Sequence, residues 1–168
     1  MLIDPMDDKG GMQARLKLED DSWHGAGSEG IWTKLIKPLA DKAIVEVNNI
    51  PFFSRALSLG DKIVIALKDN EVVFDSVVER GGHSTYRIFF QNPSGDETRV
   101  LLRFNELGCY WESTSFRGGK LFALDIPPHV NIHDIYEMLE SGEKEGLWLF
   151  EEGFVGHMLD GDPVPPVM

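Results

Sequence analysis

The sequence predicts an α+β fold, with a small N-terminal antiparallel β-sheet or barrel packed against a C-terminal ferredoxin-like β-α-β-β-α-β half. Three observations predict it. Short apolar runs with period-two alternation, broken by turn residues, recur about every ten residues through the first half. Amphipathic stretches with helix punctuation enter only after residue 94. No apolar run approaches the ~18 residues that would span a bilayer.

Met12 to Leu18 sets Ala14, Leu16 and Leu18 against Gln13, Arg15 and Lys17, the pattern of a half-buried strand. Gly25-Ala26-Gly27 follows as a joint. Further strands are expected over Gly30 to Ile36, Ala43 to Val47, Lys62 to Leu67 and Val72 to Val78. Asp41-Lys42, Leu59-Gly60-Asp61 and Lys68-Asp69-Asn70 supply the turns between them. Ser84 to Phe90 is a further strand. Ser94 precedes Glu97 by three positions, which predicts a capping box, and Val100, Leu101, Phe104 and Leu107 continue at helical spacing until Gly108. Cys109 to Glu112 and Leu121 to Leu124 form a strand pair joined through Arg117-Gly118-Gly119. After Pro127-Pro128, Asn131 caps a second helix with Asp134 at N3. Its stripe is Ile132, Ile135, Met138 and Leu139, and Gly142 is expected to end it. Leu147 to Phe150 completes the set. The resulting division is a disordered N-terminus over 1–11, a β-rich half over 12–82, the ferredoxin-like half over 83–157, and an acidic, proline-rich tail over 158–168.

Sixteen Lys and Arg stand against 28 Asp and Glu, a formal net charge of −12. Such a surface repels nucleic-acid phosphates and anionic membranes, and it attracts cationic partners. Met1 to Asp8 lacks the basic and apolar regions of a secretory signal, and Cys109 is the single cysteine. Both point to a cytoplasmic protein without disulfides.

In order along the chain stand Asn49-Ile50-Pro51-Phe52-Phe53, Leu59-Gly60-Asp61, Gly82-His83-Ser84-Thr85, Leu107-Gly108-Cys109-Tyr110-Trp111-Glu112 and Gly146-Leu147-Trp148-Leu149-Phe150-Glu151-Glu152-Gly153. In these motifs the chain resembles a bacterial family known only as a domain of unknown function, over roughly residues 29 to 157. The resemblance implies no activity, substrate or cofactor. It implies that the motif positions carry structural or shared functional duties.

No motif supports catalysis, a cofactor or a metal. Ser84 follows His83 directly, and neighbours on a strand point to opposite faces, so Ser84 is not expected to serve His83 as nucleophile. Cys109 reads as a buried packing residue. His129 precedes the expected cap and so shares no helical face with His133, and neither a zinc-protease motif nor a calcium loop is present. Glycine-rich phosphate loops are also lacking. Trp23, Trp32, Trp111 and Trp148 read as core or interface residues, because stacking platforms for bases work together with Lys and Arg.

The negative charge is concentrated late. From Asp134 to Asp162 there are nine acidic residues and one base, Lys144. Asp134, Glu137, Glu140, Glu143, Glu145, Glu151 and Glu152 are therefore the expected partner-binding residues. Like charges three apart on a helix repel by a few tenths of a kcal/mol, which a cationic partner would relieve. The sequence thus reads as a non-enzymatic acidic binding protein whose partner is a basic protein. Its sharpest form is an immunity protein that occludes a basic bacterial toxin such as a nuclease. A housekeeping adaptor is the second reading, and a small-molecule binder or hydrolase using His83 is the third.

Overall fold

The computed structural model of the chain describes residues 11–18 and 24–159. Residues 1–10 of the N-terminus expected to be disordered over 1–11, Trp23, and residues 160–168 of the tail expected over 158–168 lie outside the described residues.

Five strands, β1 (Met12–Lys17), β2 (Ser28–Pro38), β3 (Lys42–Val47), β4 (Lys62–Lys68) and β5 (Glu71–Glu79), form a closed barrel in sequence order. Four neighbouring pairs are antiparallel, and the barrel closes through a parallel contact of β1 with β5 at Arg15 and Val73. The period of two decides the inside. Ala14, Leu16, Ile31, Val45, Val47, Ile63 and Ile65 fill the barrel core. Asp69 and Asn70 both take positive φ, the two-residue hairpin geometry that matches strand twist.

Residues 80–83 carry the chain to a second sheet. It contains β6 (Ser84–Phe90), β7 (Tyr110–Phe116), β8 (Gly119–Ile126) and β9 (Leu149–Glu152), in the order β7-β8-β6-β9 with every pair antiparallel. Helices α1 (Glu97–Glu106) and α2 (Ile132–Lys144) cover one face. Tyr86, Ile88, Phe90, Phe122, Leu124 and Ile126 on that face share a core with Leu101, Phe104, Ile132, Ile135 and Leu139 from the helices. The mixed α+β class and the barrel-like first half agree with the sequence.

Three local expectations need correction. The N-cap of α1 is Asp96 rather than Ser94, and it makes no side-chain cap. Ser94 and Gly95 form a turn ahead of the helix, so the reciprocal bonds close on that turn. The Glu97 carboxylate accepts the Ser94 and Gly95 N–H groups, and Ser94 Oγ accepts that of Asp96. Second, α2 runs past Gly142 to Lys144, and the chain turns at Gly146 with φ +76. Gly142 is small for a packing reason: a Cβ there would lie 2.0 Å from the Trp148 indole. Third, the last strand is Leu149–Glu152 because Trp148 is taken into the core, its Nε1–H donating to the Leu139 carbonyl at 3.0 Å. Asn131 caps α2 as expected, accepting the His133 N–H.

Candidate functional site

Two regions carry the chemistry-bearing side chains. One is the seam between the barrel and the helix-free face of the second sheet. The other is the groove between the two helices.

The seam is built from the β3–β4 loop, the β5–β6 joint and the segment after β9. Two buried carboxylates organise the loop. Glu29 at the start of β2 accepts the N–H groups of Phe52, Phe53 and Ser54. Asp61 accepts those of Ser58 and Gly81 and is held by Arg80 at 2.8 Å. Gly60, with φ +84, brings its backbone against the His83 ring, where a Cβ would be 3.3 Å from Cδ2. The motif residues Phe52-Phe53 and Leu59-Gly60-Asp61 thus shape one loop that sits on the second sheet. The Ser58 and Thr85 hydroxyls meet across the junction at 2.8 Å.

His83 lies with Nδ1 2.8 and 3.0 Å from the Asp125 carboxylate oxygens, and Asp125 is 0% exposed. Burial pushes the Asp125 carboxyl above its ordinary range, and facing His83 pulls it back. Ser84 is bonded to a different histidine: its Oγ is 2.6 Å from His157 Nδ1. That oxygen also accepts the Gly156 and His157 N–H groups, while His157 Nε2–H reaches the Pro127 and Val130 carbonyls. With Ser84 at 0% exposure, the pair reads as a latch that ties residues 156–157 to the start of β6. Cys109 is buried, and burial, aided by Asp125, pushes its thiol up to about 12. Neither Asp125 nor His157 is predictable as a partner from the sequence, since they stand 42 and 73 positions from the residues they bond. His129 and His133 are both exposed, and among the described residues no three His, Cys, Asp or Glu side chains gather as a metal site.

The latch should weaken in acid. Burial lowers the His157 pKa from its ordinary 6.5, against the pull of the Pro127 and Val130 carbonyls and with a small push from His83. The unfolded chain therefore takes up a proton near pH 6.5 that the folded one resists. The stabilisation is full above that value and is lost as pH falls below it. Amide exchange at Gly156 and His157, corrected for intrinsic rate, is expected to accelerate on going from about pH 7.5 to about 5.5. His157→Gln should abolish the step. A flat corrected profile in the native protein would refute the latch.

The acidic residues divide into three groups. Asp134, Glu137 and Glu145 line a groove of about 480 Å³ between α1 and α2, whose apolar lining is Leu107, Met138, Leu147 and Trp148 and whose α1 side carries Arg103. Glu140, Glu143 and Glu152 lie away from it: Glu140 pairs with Lys144 at 3.5 Å, and Glu143 accepts the Phe150 N–H at 3.4 Å. Glu152 is exposed on β9. Glu151 belongs to the seam, where it binds Arg87 at 2.9 Å and Arg55 at 3.5 Å. Placing Glu151 with the outward-facing acids therefore needs correction. Alternation on β9 turns it to the face away from the helices, which one sequence cannot show.

A family model for a domain of unknown function, DUF4265, matches residues 29–150. The chain belongs to the DUF4265 family. The matched span of the DUF4265 chain begins at Glu29 and ends at Phe150, so it takes in the β3–β4 loop, His83, Asp125 and both helices. A crystal structure of a hypothetical protein from Neisseria gonorrhoeae is similar, with a TM-score of 0.67 and 17% identity over 86% of this chain and 96% of that one. At that identity the likeness is one of fold. No curated protein sequence matches the chain. Among the described residues, no helix is long and apolar enough to cross a membrane.

Proposed function

We propose that the DUF4265 chain is a non-enzymatic binding protein that receives a basic protein partner in the groove between α1 and α2. The observation that carries this reading is the pairing of three carboxylates, Asp134, Glu137 and Glu145, with an apolar lining of Leu107, Met138, Leu147 and Trp148. Leu107 and Leu147 are exposed there. Such a groove suits an amphipathic segment with an apolar anchor flanked by Lys or Arg. The chain's net charge of −12 would speed the encounter, and the approach would slow as salt rises.

The sharper form of the proposal is an inhibitor of a basic toxin, such as a nuclease, acting in the cytoplasm by occlusion. That task requires a rigid acidic face and no chemistry. The frame behind the groove supports rigidity. We read it as a ferredoxin-like unit, since β6-α1-β7 and β8-α2-β9 each straddle an intervening antiparallel strand, with both helices on one face.

The test is capture of a basic protein by immobilised wild type and by the triple variant Asp134→Lys, Glu137→Lys, Glu145→Lys. The wild type should bind with an affinity that falls with salt. The variant should lose about tenfold or more while keeping its melting temperature. A folded triple variant that captures the same protein equally well removes this groove as the binding site. A captured toxin inhibited in proportion to binding would favour the inhibitor over the adaptor.

A further inference from the structure

The helix-free face of the second sheet holds a polar group that the structure leaves unsatisfied. Strand register places Phe89 between Leu121 and Leu149, and Arg87 between Ala123 and Glu151. Directly paired residues share a face, here the one opposite the helices. Arg87, Phe89, Leu121, Leu149, Phe150 and Glu151 line a hollow of about 210 Å³. Arg87 is 1% exposed. Its Nη1 donates to Glu151 and its Nη2 to the Ser54 carbonyl of the β3–β4 loop. Its Nε is the single buried side-chain nitrogen or oxygen among the described residues without a hydrogen-bond partner. A buried N–H left in that state costs about 1–3 kcal/mol, more when the group is charged.

The surrounding charges point to what would satisfy it. Arg87 and Arg55 share the one carboxylate of Glu151. The next carboxylate, Glu29, is already engaged by three backbone N–H groups. Burial pulls the Arg87 pKa down, so an added anion would stabilise its charged form. The rest of the lining is apolar. An adjoining hollow of about 350 Å³ shares Phe89 and Leu149 and continues past Phe116.

We infer that this seam binds a small carboxylate with an apolar body, such as a medium-chain or aromatic acid. The carboxylate sits on Arg87 Nε–H and a second guanidinium N–H, and the body lies along Phe89, Leu121 and Leu149. Side-on guanidinium recognition of a carboxylate is short and charge-assisted. The hollow is smaller than the roughly 300 Å³ at which drug-sized sites begin, so the occupant is compact. The site lies across the sheet from the helix groove, so each stands or falls without the other.

The probe is sodium octanoate, titrated into the full chain and followed by 1H–15N NMR, with 1-octanol as the neutral comparison. Octanoate is expected to give saturable shifts at Arg87 Nε and at amides of β6 and β9, with octanol about tenfold or more weaker. Arg87→Lys should reduce octanoate binding to the octanol level. Leu149, 47% exposed, offers a second variant that leaves the buried guanidinium in place. Leu149→Glu should abolish octanoate binding while the melting temperature holds. Absence of saturable shifts up to about 10 mM octanoate overturns the inference, as does octanol binding equally well or a folded Leu149→Glu that binds octanoate unchanged.

Discussion

Glu29→Ala is expected to destabilise the protein by about 3 kcal/mol or more. One carboxylate accepts three successive N–H groups, from Phe52, Phe53 and Ser54, and it does so while buried. Alanine would strand all three donors, and each donor left buried without an acceptor costs about 1–3 kcal/mol, less wherever water gets in. Part of the loss would reach the second sheet, because the Ser54 carbonyl receives Arg87. Glu29→Gln keeps one acceptor oxygen and should recover a substantial part of the loss. Urea denaturation of the three proteins measures this directly. A change below about 1 kcal/mol for alanine would mean that the loop finds other acceptors.

Gly142→Ala is expected to destabilise by about 1–2 kcal/mol, against the usual sign. In an ordinary helix interior this substitution gains about 1 kcal/mol, because the chain loses more backbone entropy on folding at glycine than at alanine. Here the new methyl would fall 2.0 Å from the Trp148 ring. Trp148 is buried and packs against Phe90 and Phe104, with its indole N–H on the Leu139 carbonyl. It cannot retreat without opening the helix-side core, and overpacking of this kind costs about 1–3 kcal/mol, of which the helix gain offsets about 1. A thermal melt suffices to judge it. A neutral or stabilising result would show that the indole moves freely, and that Gly142 is small for some other reason. Pairing it with Trp148→Phe should restore much of the loss, since the smaller ring leaves room for the methyl.

The helix punctuation illustrates how far local signals reach. Asn131 accepting the His133 N–H, and Gly108 turning at φ +98 after α1, are bonds and angles between near neighbours. Residue type alone suffices to foretell them. Ser94 and Gly142 mark the limit. Ser94 and Glu97 do bond reciprocally, yet an inserted turn moves the cap to Asp96. Gly142 looks like a helix stop only while Trp148 is missing from view.

The candidate sites were legible in a more uneven way. The acidic C-terminal stretch is plain in composition, and its helix periodicity hints at a shared face. Its division into a groove, a flank and a seam depends on which neighbours α2 and β9 acquire. Glu29, Arg87, Asp125 and His157 carry no sequence signal at all. Each is an ordinary polar residue in an ordinary local pattern, distinguished only by a partner 25, 33, 42 or 73 positions away.

By itself, then, the sequence determined the alternation that builds the barrel, the two amphipathic helices, the hairpin turns and a strongly negative exterior. These follow from steric and hydrophobic preferences acting over a few residues. Only the tertiary structure decided which carboxylates face water, which histidine meets which partner, and where a buried guanidinium is left one acceptor short. Those outcomes depend on how two sheets meet, and desolvation at such a meeting acts on side chains that the chain order keeps far apart.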